Sequence, residues 1–160
     1  MYVFNRQYKH IFLFLSMTIF ALTGIGCSQN DQVIAAAISK LQPTSEGGIS
    51  VDVALNISAN SYVCVLSPYA SSVSPGKGFS DDVNGFLLNQ NFLGDEGRWT
   101  FIYGVSAKWT LERIRRQKVE LMQLRSSNNK KLDSICGKAN TVQLIKLSGD
   151  KVNFITKGEK

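Results

Sequence analysis

Alternating apolar and polar positions predict most of the strands in this chain of 160 residues. From Ile49 to Ile57 every second residue is apolar, which predicts a strand with one side in solvent. An apolar run from Tyr62 to Leu66 predicts a second strand, and the polar residues 59–61 between the two are typical of a turn. We therefore expect these two strands to form a hairpin.

Two later segments carry the same kind of signal. The aromatic residues Trp99, Phe101 and Tyr103 occupy alternate positions, which predicts an aromatic strand that contributes to the core. At the end of the sequence, apolar positions in 142–147 and 152–155 flank the turn-forming residues 148–151. This arrangement predicts a second hairpin.

Helical signals are weaker. Ser80 is a candidate N-cap for a short helix, with Asp81 and Asp82 in its first turn. Residues 33–41 fit either a helix or an extended segment. Residues 109–125 fit one helix face or two strands joined by the polar residues Arg115 to Lys118, and we favour strands because the neighbouring segments are β-rich.

These elements together predict a mostly β fold. We expect a small antiparallel β-sandwich or barrel with one or two short helices. An α+β domain is the alternative, and it would follow if 109–125 were helical.

The beginning of the sequence has the composition of an export signal. Lys9 precedes an apolar run of about 15 residues from Ile11 to Ile25, and the small residue Gly26 follows. Ordinary secretion with cleavage near Gly26 is one interpretation. An uncleaved membrane anchor is disfavoured because a spanning helix needs about 20 apolar residues.

Cys27 directly after this run suggests a more specific interpretation. The segment Gly24-Ile25-Gly26-Cys27 resembles the processing box of bacterial lipoproteins. The resemblance implies that Cys27 carries a thioether-linked diacylglycerol and fatty acid such as palmitate. It also implies a lipid-anchored protein of the cell envelope that faces the periplasm, with the outer membrane as its expected location. The expected organisation is a signal peptide at 1–26, a lipid anchor and tether at 27–48, and one β-rich domain at 49–160.

The other cysteines fit an exported protein. With Cys27 lipidated, Cys64 and Cys136 remain as a pair, which predicts a disulfide in an oxidising compartment. The sole histidine, His10, falls in the signal, so the exported part has no histidine ligand or base. We accordingly expect no catalytic residues, no bound metal and no cofactor.

Charge and carboxylates narrow the function classes further. The formal charge of +6 is too small an excess to indicate nucleic acid as a partner. The neighbouring carboxylates Asp81–Asp82 and Asp95–Glu96 are more typical of a helix start and a polar turn than of an acid–base pair. We therefore expect a protein that binds rather than an enzyme.

Two charged segments are the candidates for partner binding. The first is the turn 94–99, where acidic residues adjoin an Arg-Trp step, and the second is a basic cluster diluted by Glu112 and Glu120. The cluster consists of Lys108, Arg113, Arg115, Arg116, Lys118 and Arg125. The expected binding residues are Asp95, Glu96, Arg98, Arg115 and Arg116.

A second resemblance suggests what kind of partner these residues meet. The signal and the segment Ser61-Tyr62-Val63-Cys64-Val65 are similar in outline to periplasmic immunity lipoproteins of type VI secretion. This resemblance implies a protein partner, a delivered toxin. The alternative is a structural or assembly lipoprotein of a secretion, pilus or conjugation system, whose partner is a component of an envelope complex.

Overall fold

The computed structural model describes residues 33–44, 47–75, 78–106 and 108–157. In this part of the chain, eight strands form two four-stranded sheets, and three short helices accompany them. The predicted signal, its processing box and Cys27 lie outside the described residues.

The helices and strands are numbered in chain order. The helices are α1 (Val33–Lys40), α2 (Val51–Leu55) and α3 (Gly78–Asn89). The strands are β1 (Ile49–Ser50), β2 (Tyr62–Leu66), β3 (Arg98–Val105), β4 (Lys108–Arg115), β5 (Glu120–Arg125), β6 (Ser134–Lys138), β7 (Val142–Lys146) and β8 (Lys151–Thr156).

Two sheets built from these strands face each other. Sheet 1 has the order β4-β3-β2-β6 and is antiparallel throughout. Sheet 2 has the order β1-β7-β8-β5, and its β5–β8 pair is the one parallel pair among the described strands. The prediction of a small, mostly antiparallel β-sandwich is confirmed, although the helices number three rather than one or two.

The main core fills the space between the sheets. Trp99 and Phe101 of β3 are fully buried there, and Phe154 of β8 meets both rings at centroid separations of 5.8 and 6.2 Å. Aromatic residues contribute the largest buried apolar areas. The predicted aromatic strand is therefore confirmed as a core strand.

A second, smaller core lies on the opposite face of sheet 1. Cys64, Leu66 and Ile102 point to that side and pack against Val83 and Leu87 of α3. Sheet 1 is thus covered on both faces. Burial on both faces explains why the sequence of β2 is continuously apolar and does not alternate between apolar and polar residues.

The predicted disulfide crosses this sheet. Cys64 of β2 and Cys136 of β6 are register partners with a Cα–Cα distance of 4.1 Å, and their sulfurs are bonded. The bond joins positions 72 residues apart. It therefore connects two neighbouring strands that are distant along the chain.

Helix α1 belongs to the core, although the sequence assigned its residues to the tether. Its Ile34 and Ile38 are buried in the main core. The buried carboxylate of Glu112 accepts hydrogen bonds from the backbone N–H groups of Ile34 (2.9 Å) and Ala35 (3.2 Å). A carboxylate at a helix N-terminus satisfies otherwise unpaired amides and complements the helix dipole. The boundary predicted at residue 49 therefore falls inside the packed unit.

The strand predicted at 49–57 is wrong beyond its first two residues. Val51, Ala54 and Leu55 are buried at helical spacing, whereas Val53 is 65% exposed. Leu55 follows Val51 by four residues, a spacing that puts both on one face of a helix or on one face of a strand. The apolar pattern therefore fitted either structure. The first predicted hairpin is also wrong, because β1 pairs with β7 and β2 pairs with β3 and β6.

The other secondary-structure predictions agree more closely with the structure. Residues 109–125 form two strands with a polar link, as favoured, but β4 and β5 lie in different sheets. The C-terminal hairpin of β7 and β8 is confirmed. The helix near Ser80 is confirmed as well, but it begins at Gly78, so Ser80 is a buried helical residue and not the N-cap.

Removing the disulfide should destabilise the domain substantially. We expect the Cys64→Ala/Cys136→Ala double variant to lose about 2–5 kcal/mol of unfolding free energy, as small exported domains do without a native bridge. Denaturant unfolding followed by circular dichroism measures this loss. Thiol reduction should lower the stability of the wild type and leave the double variant unchanged; equal stability of oxidised wild type and double variant would contradict the prediction.

Candidate functional site

The five predicted binding residues come together at one end of sheet 1. They line a cleft of about 570 Å³, which we call the charged cleft. Its lining residues are Asp95, Glu96, Gly97, Arg98, Arg115, Arg116, Gln117 and Glu120. The turn before β3 and the corner after β4 form its two walls. Two segments that were separate candidates in the sequence are thus one site.

The register of sheet 1 brings these walls together. Arg98 at the start of β3 is the register partner of Arg115 at the end of β4. The backbone N–H of Arg116 then donates to the carbonyl oxygen of Gly97 at 3.0 Å. Both contacts come from β-sheet pairing and its continuation, so the backbone of the cleft is fixed by the fold.

The buried indole of Trp99 holds the corner that follows β4. The Nε1–H of Trp99 donates to the carbonyl oxygen of Val119 at 2.7 Å, and both residues are fully buried. A buried tryptophan normally finds such an acceptor for its N–H. This hydrogen bond ties β3 to the link between the two sheets.

The acidic wall of the cleft packs against the loop that follows β2. A Cβ atom added at Gly94 would lie 2.5 Å from the carbonyl carbon of Tyr69 and 2.8 Å from the carbonyl oxygen of Ala70. Backbone atoms cannot give way to such a contact cheaply. Glycine at this position therefore allows the turn to approach the loop closely.

Each carboxylate of the cleft has a neighbour. Asp95 forms an ion pair with Arg113, and Glu120 forms one with Arg116 at 3.0 Å. A hydrogen bond with Glu96 raises the pKa of the Tyr69 phenol above its ordinary value, and desolvation and the charge of Glu96 add to the effect. Two of the three cleft carboxylates are therefore ion-paired with arginines of the same surface.

Two arginines of the cleft differ from Arg116, which is ion-paired with Glu120. Arg98 and Arg115 have no ion-pair partner within the described residues. Both point away from the main core, because their strand neighbours Trp99 and Ile114 point into it. The cleft therefore presents two like charges side by side on one face of sheet 1.

The rest of the basic cluster does not form one surface. Arg113 lies on the same face as Arg115, whereas Arg125 belongs to sheet 2 and donates to Asn129 at 2.7 Å. Lys108 and Lys118 are exposed. The six basic residues that are close in sequence are thus distributed over several parts of the surface.

A second cavity, of about 740 Å³, adjoins the charged cleft and was missed from the sequence. We call it the aromatic groove. The side chains that give it this character are Phe86, Phe92, Leu93, Trp109 and Leu111. Residues 109, 111 and 113 of β4 alternate onto one face, and this alternation was the signal that could have revealed the groove.

The described residues contain no group of three or more histidine, cysteine, aspartate or glutamate side chains arranged to hold a metal ion. None of the helices in the described ranges is long and apolar enough to cross a membrane. Comparison of the chain with protein-family models, with curated proteins and with solved structures gave no match.

Two glycine substitutions test whether the acidic wall needs its close packing. We expect Gly94→Ala to lower the unfolding free energy by about 1–3 kcal/mol, as overpacking does. Gly85→Ala is the matched control, because a Cβ at that position in α3 meets nothing within 4 Å. The control should stabilise the protein by roughly 0.5–1 kcal/mol. Thermal unfolding measures both, and a Gly94→Ala variant as stable as Gly85→Ala would contradict the packing.

Proposed function

We propose that this chain is a lipid-anchored protein of the bacterial cell envelope that binds a protein partner through the charged cleft. The observation that carries this proposal is the convergence of Asp95, Glu96, Arg98, Arg115 and Arg116 on one cleft. These residues come from separate segments of the sequence. Residues that converge on a rigid concave surface are well placed for recognition.

The composition of the site supports binding rather than catalysis. A general acid or base must be free to reach a substrate atom. Here Asp95 and Glu120 are already ion-paired with arginines of the protein itself. Arginine, by contrast, is a residue type favoured at protein interfaces, and Arg98, Arg115 and Arg116 line the cleft.

Export is supported by two observations. The segment Gly24-Ile25-Gly26-Cys27 resembles a lipoprotein box, which supports a lipid at Cys27 and a domain on the periplasmic side. The disulfide between Cys64 and Cys136 is of the kind that persists in oxidising compartments and is rare in the cytosol.

We further propose that the partner is a toxin and that the protein gives immunity to it. This proposal follows the resemblance of the signal and the segment around Cys64 to immunity lipoproteins. The alternative partner is a component of a secretion, pilus or conjugation complex. The identity of the bound protein distinguishes the two roles.

The lipid anchor has a direct test. Cells that express the full chain are labelled with a fatty-acid probe, and the Cys27→Ser variant serves as the control. We expect label on the wild type alone, and we expect the variant to be released into the soluble periplasmic fraction. Unlabelled wild type that fractionates with soluble periplasmic proteins would show that Cys27 carries no lipid.

The binding site is tested by crosslinking in living cells. A photoreactive phenylalanine analogue replaces Gln117, an exposed residue that lines the charged cleft. The same analogue at Lys138, exposed at the far edge of sheet 1, is the control. We expect a specific adduct from position 117 only, and mass spectrometry identifies the partner.

Alanine substitutions then measure the contribution of each candidate residue to this contact. A central interface residue typically contributes 2 kcal/mol or more, so each important position should weaken binding about 30-fold. Folded variants at all five positions with full partner affinity would reject the site. Turnover of a cell-wall or lipid substrate by the purified protein would reject the binding class.

A further inference from the structure

The charged cleft and the aromatic groove are parts of one continuous surface. Asp95 lines both cavities, and its ion pair with Arg113 stands between them. The Arg113 guanidinium also donates to the carbonyl oxygen of Leu93 at 3.0 Å and lies 5.4 Å from the centre of the Phe92 ring. A cation over an aromatic face is held by the ring quadrupole. Asp95 is therefore shared by the two cavities, and its partner Arg113 lines the groove side.

The groove end of this surface combines aromatic and aliphatic side chains with polar ones such as Gln90, Asn91 and Thr110. The indole ring of Trp109 lies against Gly104, its register partner, where an added Cβ would come within 2.9 Å of the ring. Leu93, at the rim, is 74% exposed. A fixed aromatic floor with an exposed aliphatic rim suits the insertion of an apolar side chain.

At the cleft end of the surface, the lining holds three arginines and three carboxylates, and two of the arginines lie opposite each other. Arg98 and Arg115 are directly opposite on adjacent antiparallel strands, where like charges repel and destabilise the pair. Neither has an ion-pair partner in the described part of the chain. An acidic group between the two guanidinium groups would relieve the repulsion and accept several hydrogen bonds at once.

We infer that the partner recognised here presents an acidic side chain to the Arg98–Arg115 pair and an aromatic or aliphatic side chain to the aromatic groove. This inference rests on the proposed function and specifies the chemistry of its partner. Along β4, Trp109 and Leu111 precede Arg115 by six and four residues, so the two contacts are separated by roughly 14–20 Å. An extended segment of about four to six residues spans that distance.

Selection from a random dodecapeptide library displayed on phage tests this chemistry. The target is the full chain in detergent, immobilised through its lysines. We expect enriched peptides to carry Asp or Glu about four to six residues from an aromatic residue or leucine. Enriched peptides without an acidic residue, or no enrichment at all, would overturn the inference.

Matched variants then test the arginine pair with a synthetic peptide from the selection. We expect Arg98→Gln/Arg115→Gln to weaken its binding about 30-fold or more, measured by fluorescence anisotropy. Arg98→Lys/Arg115→Lys keeps the charge but not the planar fork, so it should retain intermediate affinity. The control Lys130→Gln/Lys138→Gln removes two exposed charges elsewhere and should bind normally.

Stability and salt dependence separate recognition from a loss of folding. Removing the like-charge pair should leave the thermal stability of the glutamine variant equal to or above that of the wild type. Added salt should weaken peptide binding to the wild type more than to this variant. Equal affinity of the two proteins would overturn the inference.

Anionic membranes are the competing source of negative charge. Vesicles containing phosphatidylglycerol should bind the wild type and the glutamine variant equally well. Arginine-dependent vesicle binding without arginine-dependent peptide binding would overturn the inference in favour of a lipid surface. The crosslinking experiment decides the proposed function independently, because it identifies a partner at the cleft whatever its chemistry.

Discussion

The hydrogen bond from the Trp99 indole to the Val119 carbonyl is the constraint on which the charged cleft depends. It is 2.7 Å long and fully buried, and it fixes the point where the chain leaves sheet 1 and enters sheet 2. Without it, the carbonyl of Val119 would lose its side-chain partner inside the core, where an unpaired polar group costs about 1–3 kcal/mol. The corner above it bears Arg115 and Arg116, so a core contact sets the geometry of a surface site.

Strand β4 shows how one short segment serves both the core and the surface. Alternation sends Glu112 inward, where its carboxylate holds the first amides of α1, and sends Arg113 and Arg115 outward. A buried carboxylate is tolerated because it accepts hydrogen bonds from the helix terminus. The charges of this strand therefore have different roles, although they appear in the sequence as one basic cluster with an acidic interruption.

The sequence predicted what depends on local pattern and missed what depends on tertiary pairing. Strand β3, the C-terminal hairpin and the disulfide pair were predictable from alternation, turn residues and cysteine parity. Helix α2 was not, because its five residues satisfy the spacing of a strand as well as that of a helix, and only packing decides between them. The cleft residues were predicted as two separate segments. Their union follows from the register that pairs Arg98 with Arg115, which alternation alone does not specify.

The arginine pair is unfavourable for folding, and the architecture explains how the domain tolerates it. Two like charges opposite each other on β3 and β4 cost on the order of a few tenths of a kcal/mol. The disulfide contributes about 2–4 kcal/mol on a chain-entropy model, and it joins β2 and β6 at the other side of the same sheet. A sheet stabilised in this way can carry a locally repulsive pair at its end without losing its register. A local cost of this size is tolerated because selection keeps a protein above a stability threshold and does not maximise its stability.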